Sequence, residues 1–352
     1  MADHSHPPLG QAKAGIHPIQ YLLSLPPDLC LSSQYYYKST NFMPMEEGQP
    51  TNSPISMPHH PLGTVFMAIC VALGLQMVLP VVFSGVFDMI FGTSLRSGLI
   101  NMRLDSETEQ ILMKLAIILT QTFAFGGVAV AIAWFSAGKK SMLSLKRVNH
   151  PALIAISMIV ALSALPIIPY LMIPKEWIQL PESMKALQDV LLGQEEQTEK
   201  YLSVLLKHHF PLNLLFIAVT PAIMEELFFR GMMMNQFRKV FNIHVAIWLT
   251  GFLFSLFHFQ ILGFFPRMLL GVVFGYMAYW SGSLIPCIIA HFTNNAMSAV
   301  AYYVGKNDAN TDSVLAPDYQ PPIVYGMVGV LVLSGLMYLF YYYARVVKDQ
   351  DE

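Results

Sequence analysis

Between Lys207 and Arg238 the chain carries three charges, Glu225, Glu226 and Arg230, all within the apolar run Pro221-Ala-Ile-Met-Glu-Glu-Leu-Phe-Phe-Arg-Gly231. At bilayer depth each charge costs about 2.5–3.5 kcal/mol on insertion scales, and ionisable residues kept there are functional by default. On a helix Glu226 and Arg230 are four residues apart on one face and can pair, whereas Glu225 is turned about 100° from Glu226. Glu225 is therefore the freer carboxylate, and in poorly solvated surroundings it is a candidate proton acceptor. The structural alternative is a buried ion cluster that only holds helices together.

Two further polar groups intrude on the apolar runs that follow. In Phe254-Ser-Leu-Phe-His258 the histidine is the main titratable group between Lys239 and Arg267, and helical spacing puts Phe254 one turn before it on the same face. In His291-Phe-Thr-Asn-Asn295 the first and last residues are four apart and share a face, while Asn294 reads as neutral decoration. A lone histidine on an apolar helix is more often a satisfied core residue, and His and Asn commonly glue membrane helices together. The chemistry open to the set is hydrolytic. A water between a carboxylate and a histidine becomes nucleophilic as the base takes its proton, and a second set of donors steadies the oxyanion. Glu225, His258 and His291 could instead hold a zinc ion with one position open to water. There is no His-Glu-x-x-His pattern, so the sequence does not force a metal.

Taken in this order on successive spans, Glu-Glu-x-x-x-Arg, Phe-x-x-x-His and His-x-x-x-Asn resemble the CPBP family of intramembrane proteases, which includes CAAX prenyl endopeptidases and bacteriocin-processing or bacteriocin-immunity proteins. The motifs cover residues 211–304. The resemblance implies peptide-bond hydrolysis within the membrane, with Glu225 as catalytic glutamate and Glu226 and Arg230 as its motif partners. It also implies that His258 helps to activate water and that His291 and Asn295 serve a metal or the oxyanion. The substrate would be a membrane-associated protein or peptide. The host membrane would be the plasma membrane in a bacterium or the endoplasmic reticulum in a eukaryote. A non-catalytic immunity or scaffold protein is the rival. A small-solute transporter is disfavoured, because no inverted repeat is evident.

The elements that must position these groups are apolar. Of 352 residues 55% are hydrophobic and only 12% charged, and mean hydropathy is +0.50. A soluble domain carries roughly 25% charge, so the expected fold class is all-α, a polytopic membrane helix bundle with an intramembrane polar site. Eight apolar runs, at about 64–90, 111–137, 152–173, 211–235, 243–264, 266–281, 283–304 and 321–344, approach the roughly 20 residues of a span. The sixth is short enough to be broken in part. Residues 174–207 have the spacing of an interfacial amphipathic helix. Gly271-x-x-x-Gly275 suits close helix approach, and Pro221 removes a backbone hydrogen bond one turn before Glu225. Lys139, Lys140, Lys146 and Arg147, with Arg238 and Lys239, argue for cytoplasmic loops, hence cytoplasmic termini.

The domain layout is a disordered tail at 1–62, the membrane domain at 63–346 and a polar tail at 347–352. The first tail lacks the pattern of a signal peptide, its histidines are too irregular for a metal tract, and Met43 and Met45 are alternative starts. The chain ends Lys-Asp-Gln-Asp-Glu and is not itself a prenylation target. A net charge of −2 without a basic stripe argues against nucleic-acid binding. Cys30, Cys70 and Cys287 are expected to be packing residues rather than a disulfide framework.

Overall fold

The computed structural model describes residues 60–101, 103–104, 106–135, 143–146, 148, 150–206, 208–307 and 321–346. The expected disorder of the first tail, the polar end at 347–352 and most of the lysine loop lie outside these. Among the described residues there is no strand, and the chain is helical as its composition requires. In order the helices are α1 (Pro61–Phe91), α2 (Leu95–Asn101), α3 (Glu107–Phe135), α4 (Ala152–Leu171), α5 (Lys185–Leu205), α6 (Phe210–Phe237), α7 (Ile243–Leu256), α8 (Phe264–Ser281), α9 (Ile285–Asn307) and α10 (Ile323–Arg345). The first helix opens at Pro61, with Pro at a first-turn position where no intrahelical donor is needed.

Five helices are long and apolar enough to cross a membrane: α1, α3, α4, α6 and α10. They make this an integral membrane protein. The expected count of about eight spans is not confirmed: α7 has 14 residues, α8 carries Arg267, and α9 carries His291, Asn294 and Asn295. The residues that build a polar site are the ones that lower a helix's hydropathy. The sixth run is not broken, since α8 is continuous over 18 residues and ends in Gly282 at φ 64, a left-handed cap that glycine adopts without a Cβ clash. The fifth run does break, for α7 stops at Leu256 and residues 257–263 form a turn. The stretch at 174–207 contains the expected helix, α5.

Burial orders the layers. Of the apolar window of α6, 56% is buried, against 17% for α1, so α6 is central and α1 presents Phe66, Met77 and Met89 outward. Around α6 lies one apolar cluster that includes Phe125, Phe228, Phe229, Met232, Phe254 and Phe274. Helices α7 and α8 touch backbone to backbone: a Cβ on Gly271 would lie 2.8 Å from Gly251 Cα. The expected close approach at Gly271 is therefore real, and only a glycine fits it. Gly126 of α3 faces a side chain of α6 instead: a Cβ there would stand 2.4 Å from Met224 Sδ, next to Glu225.

Candidate active site

The turn that carries the acidic pair is a short α-helical stretch, Thr220–Glu226, set between two π-helical turns, Leu215–Val219 and Leu227–Met233. A third π turn, Thr122–Gly127, lies on α3 and packs against it. Single π turns recur at functional sites because they re-aim side chains within an otherwise regular helix. They leave no clear mark in the sequence.

Pro221 has no N–H, so the carbonyl of Ile217, four residues earlier, loses its intrahelical donor. Asn295 of α9 supplies one: its Nδ2 donates to Ile217 O at 3.2 Å. Asn294 in turn donates from Nδ2 to Asn295 Oδ1 at 3.2 Å, which orients that amide. Asn294 is thus part of the support, not the neutral decoration its position suggests. In a membrane, a backbone group freed by proline is satisfied by a neighbouring helix in just this manner.

Glu226 and Arg230 form the expected pair. Arg230 Nη1 donates to Glu226 Oε1 at 2.7 Å with both side chains fully buried, and Nη2 donates to Gly271 O at 2.9 Å. The guanidinium lies 4.6 Å from the Phe254 ring centre and 5.5 Å from that of Phe274. His291 joins the same carboxylate, Nδ1 to Glu226 Oε1 at 2.9 Å, and stacks on Phe274. Because that oxygen accepts, Nδ1 is the protonated nitrogen and Nε2 is left facing Glu225 Oε2 at 3.9 Å, too long for a direct hydrogen bond. Glu225 Oε2 is buried and has no hydrogen-bond partner among the described residues. The sequence expectation that Glu225 is the freer carboxylate matches this placement.

His258 sits beyond the end of α7, in the turn, and not on the helix. Its Nδ1 nevertheless donates to Phe254 O at 2.8 Å, so the one-turn relation to Phe254 is kept. A carbonyl only accepts, hence Nδ1 carries the proton and Nε2 keeps its lone pair. The turn is held at several points. Glu195 of α5 accepts from Leu262 N at 3.0 Å, Ile173 N donates to Leu262 O at 2.8 Å, and Arg267 grips Gln260 O and Oε1 at 2.9 and 2.5 Å.

A cavity of about 260 Å³ opens between these elements, lined by Leu73, Gln76, Gln121, Phe125, Glu225, Phe229, Phe257, His258 and Phe259. It brings Glu225 and His258 to one space. His291 and Asn295 do not line it: the first reaches Glu225 from behind, through Nε2, and the second holds Ile217. Residues 207–297 match the family described as Rce1-like, type II CAAX prenyl endopeptidase. Every residue from Glu225 to Asn295 that the motifs single out falls inside the match, which agrees with the CPBP resemblance and supports a protease. No curated protein and no solved structure matches the chain.

Among the described residues no group of three or more His, Cys, Asp and Glu side chains is placed to hold a metal ion. His291 Nδ1 is tied to Glu226 and His258 Nδ1 to Phe254 O, which leaves each histidine its Nε2, the same anchoring through the other nitrogen that metal-ligating histidines show. Gln76 and Gln121 are the lining residues that the motif reading passes over. The available signal is that each is the only amide in its apolar run, 64–90 and 111–137.

Proposed function

We propose that this protein is an intramembrane endopeptidase in which Glu225 and His258 activate a water against a peptide bond of a membrane-associated substrate, of the CAAX type that the matched family's description names. The observation that carries this reading is that Glu225, with a buried oxygen that makes no hydrogen bond among the described residues, shares one largely aromatic cavity with His258. A cavity of about 260 Å³ is far larger than the ~30 Å³ share of one water, so it has room for both nucleophile and substrate.

The residues divide the work as follows. His258 Nε2 accepts one O–H of the water, and Glu225 accepts the other. As the water oxygen adds to the carbonyl carbon, its proton passes to Glu225 and the carbonyl oxygen takes up the negative charge. The C–N bond then breaks, and the departing nitrogen takes the proton from Glu225. The products are a carboxylic acid and a free amine, and the glutamate returns to its starting state. His291, tied through Nδ1 to the Glu226–Arg230 pair, fixes the wall against which Glu225 rests. Phe125, Phe229 and Phe257 keep the surroundings poor in water, which strengthens each polar contact inside. No step is routed through a metal.

The test uses detergent-purified protein and an internally quenched farnesylated peptide ending in a CAAX sequence. Wild type is expected to release the three-residue end, and Glu225→Gln is expected to elute as a folded protein and release none. A Glu225→Gln protein as active as wild type would refute the assignment and favour a non-catalytic role.

A further inference from the structure

At one end of the bundle the last turns of α6, α8 and α10 meet the α8–α9 turn and the segment at 143–150, and the charge there has one sign. No carboxylate lies on residues 143–150, 231–245, 276–288 or 341–346. The described Lys and Arg residues on them are Lys146, Arg238, Lys239 and Arg345. Ser283 Oγ donates to Lys146 O at 2.6 Å and Leu284 N to Ser144 O at 2.8 Å, which fastens the first of these to the α8–α9 turn.

Two of these charges converge on one ring. The Arg238 guanidinium, just past the end of α6, lies 5.5 Å from the centre of Tyr279 on α8, and that of Arg345, at the end of α10, lies 5.1 Å from it. Arg345 Nη2 also donates to Tyr279 O at 3.2 Å and Arg238 Nη1 to Asn235 Oδ1 at 3.3 Å, so neutral acceptors fix where each guanidinium sits. Arg345 and Lys239 form no ion pair among the described residues. Burial first, and the Arg345 charge after it, hold the Arg238 pKa below its usual value. A guanidinium does not answer by giving up its proton, so the like charges remain costly until an anion joins them. Beside them Trp280 packs between Tyr276 and Tyr341, with ring centres at 5.1 and 5.3 Å. Tyr and Trp grouped at the ends of apolar spans mark the depth of the lipid headgroups.

We propose that Arg238 and Arg345, converging on Tyr279, bind the phosphate of an anionic phospholipid headgroup, with Lys239 adding charge beside them. The fork of each guanidinium matches a pair of phosphate oxygens, and basic pockets between helix ends are where membrane proteins hold anionic headgroups. Two guanidiniums match the double charge of a phosphomonoester better than the single charge of a diester, so phosphatidic acid is the probe of choice. A lipid held here ties together the ends of α6, α8 and α10. The site shares no residue with the cavity of Glu225 and His258, and its occupancy does not depend on the hydrolytic reading.

The test uses the full chain in detergent micelles, with lipid-bound protein counted by native mass spectrometry over titrations of phosphatidic acid, phosphatidylglycerol and phosphatidylcholine. Wild type is expected to bind phosphatidic acid at least about tenfold more tightly than phosphatidylcholine, with phosphatidylglycerol between them. Arg238→Gln and Arg345→Gln should each weaken phosphatidic acid binding about fivefold and the double change about 25-fold, the scale of one basic residue near an anionic surface. Lys239→Gln alters an exposed side chain and leaves the packing alone; it should weaken binding by a similar factor and so carries the test if an arginine variant fails to elute as monodisperse protein. Lys200→Gln, at an exposed position on α5, removes the same charge elsewhere and should change nothing, which separates a site from net charge. Equal affinity of wild type for phosphatidic acid and phosphatidylcholine, or wild-type affinity in Lys239→Gln and in the double arginine variant, would overturn the proposal. Inorganic phosphate that displaces phosphatidic acid at equal concentration would overturn the lipid as the ligand and assign the site to free phosphate.

Discussion

With Glu226 replaced by Gln, Arg230 keeps its charge in a place where its side chain has no exposed surface. At 2.7 Å and an effective dielectric constant of 20 the lost attraction is about 6 kcal/mol. Part of it is retained, because the Gln carbonyl still accepts from Nη1, Gly271 O still accepts from Nη2, and the Phe254 and Phe274 rings still face the guanidinium. The net loss is expected at about 3–5 kcal/mol, the range for a buried pair deprived of one member. The double variant Glu226→Gln/Arg230→Met removes both charges and should recover at least about 2 kcal/mol relative to the sum of the two single changes. The assay is unfolding in mixed micelles of increasing SDS fraction, followed by far-UV circular dichroism on wild type, both single variants and the double. A Glu226→Gln protein within about 1 kcal/mol of wild type, or a double variant with strictly additive loss, would refute the claim that this pair holds the node of α6, α8 and α9.

Other expectations follow from the same geometry. Glu225→Gln should leave the unfolding midpoint where it is or raise it, since the oxygen it neutralises has no hydrogen-bond partner among the described residues, while cleavage drops by 100-fold or more, the scale of a lost general base; the two are read on one preparation. Gly271→Ala should cost about 1–3 kcal/mol, because the new Cβ meets Gly251 Cα at 2.8 Å, whereas Gly74→Ala, with nothing within 4 Å, should be neutral or stabilising in the same melt. Glu195→Ala should lower kcat by freeing the turn that carries His258, and Glu195→Gln, which keeps an acceptor for Leu262 N–H, should restore it; equal losses in both would point to charge rather than to the hydrogen bond. Protein stripped of metal, checked by elemental analysis, should stay active, and inhibition by 1,10-phenanthroline that added zinc reverses would overturn that expectation.

A good deal of this protein is written in local sequence. Apolar runs near the length of a bilayer dictate helices whatever their neighbours, and a carboxylate pair with an arginine four residues on dictates a shared face. Hence the all-helical class, the Glu226–Arg230 pair, the relative freedom of Glu225, the close approach at Gly271 and the helix at 185–205 are legible from residue types and spacing. Where a run ends is less legible. The end of α7 at Leu256 is set by the turn at 257–263, which Glu195, Ile173 and Arg267 hold from three other segments, and no local pattern encodes those bonds. The π turns on either side of Glu225 are equally silent, because the same residues would make ordinary helix.

Tertiary structure also decided which polar groups meet. Helical spacing puts His291 and Asn295 on one face of α9, but it cannot say that Pro221 frees a carbonyl on α6 for Asn295 to satisfy, or that Glu226 claims His291 through Nδ1. Nor can it place Gln121, an isolated amide in α3, on the wall of the cavity that Glu225 and His258 share. Spacing along one helix fixes direction only. Distance between groups on different helices depends on how closely their backbones pack, and for α7 and α8 that is set by Gly251 against Gly271, residues 20 positions apart in the chain.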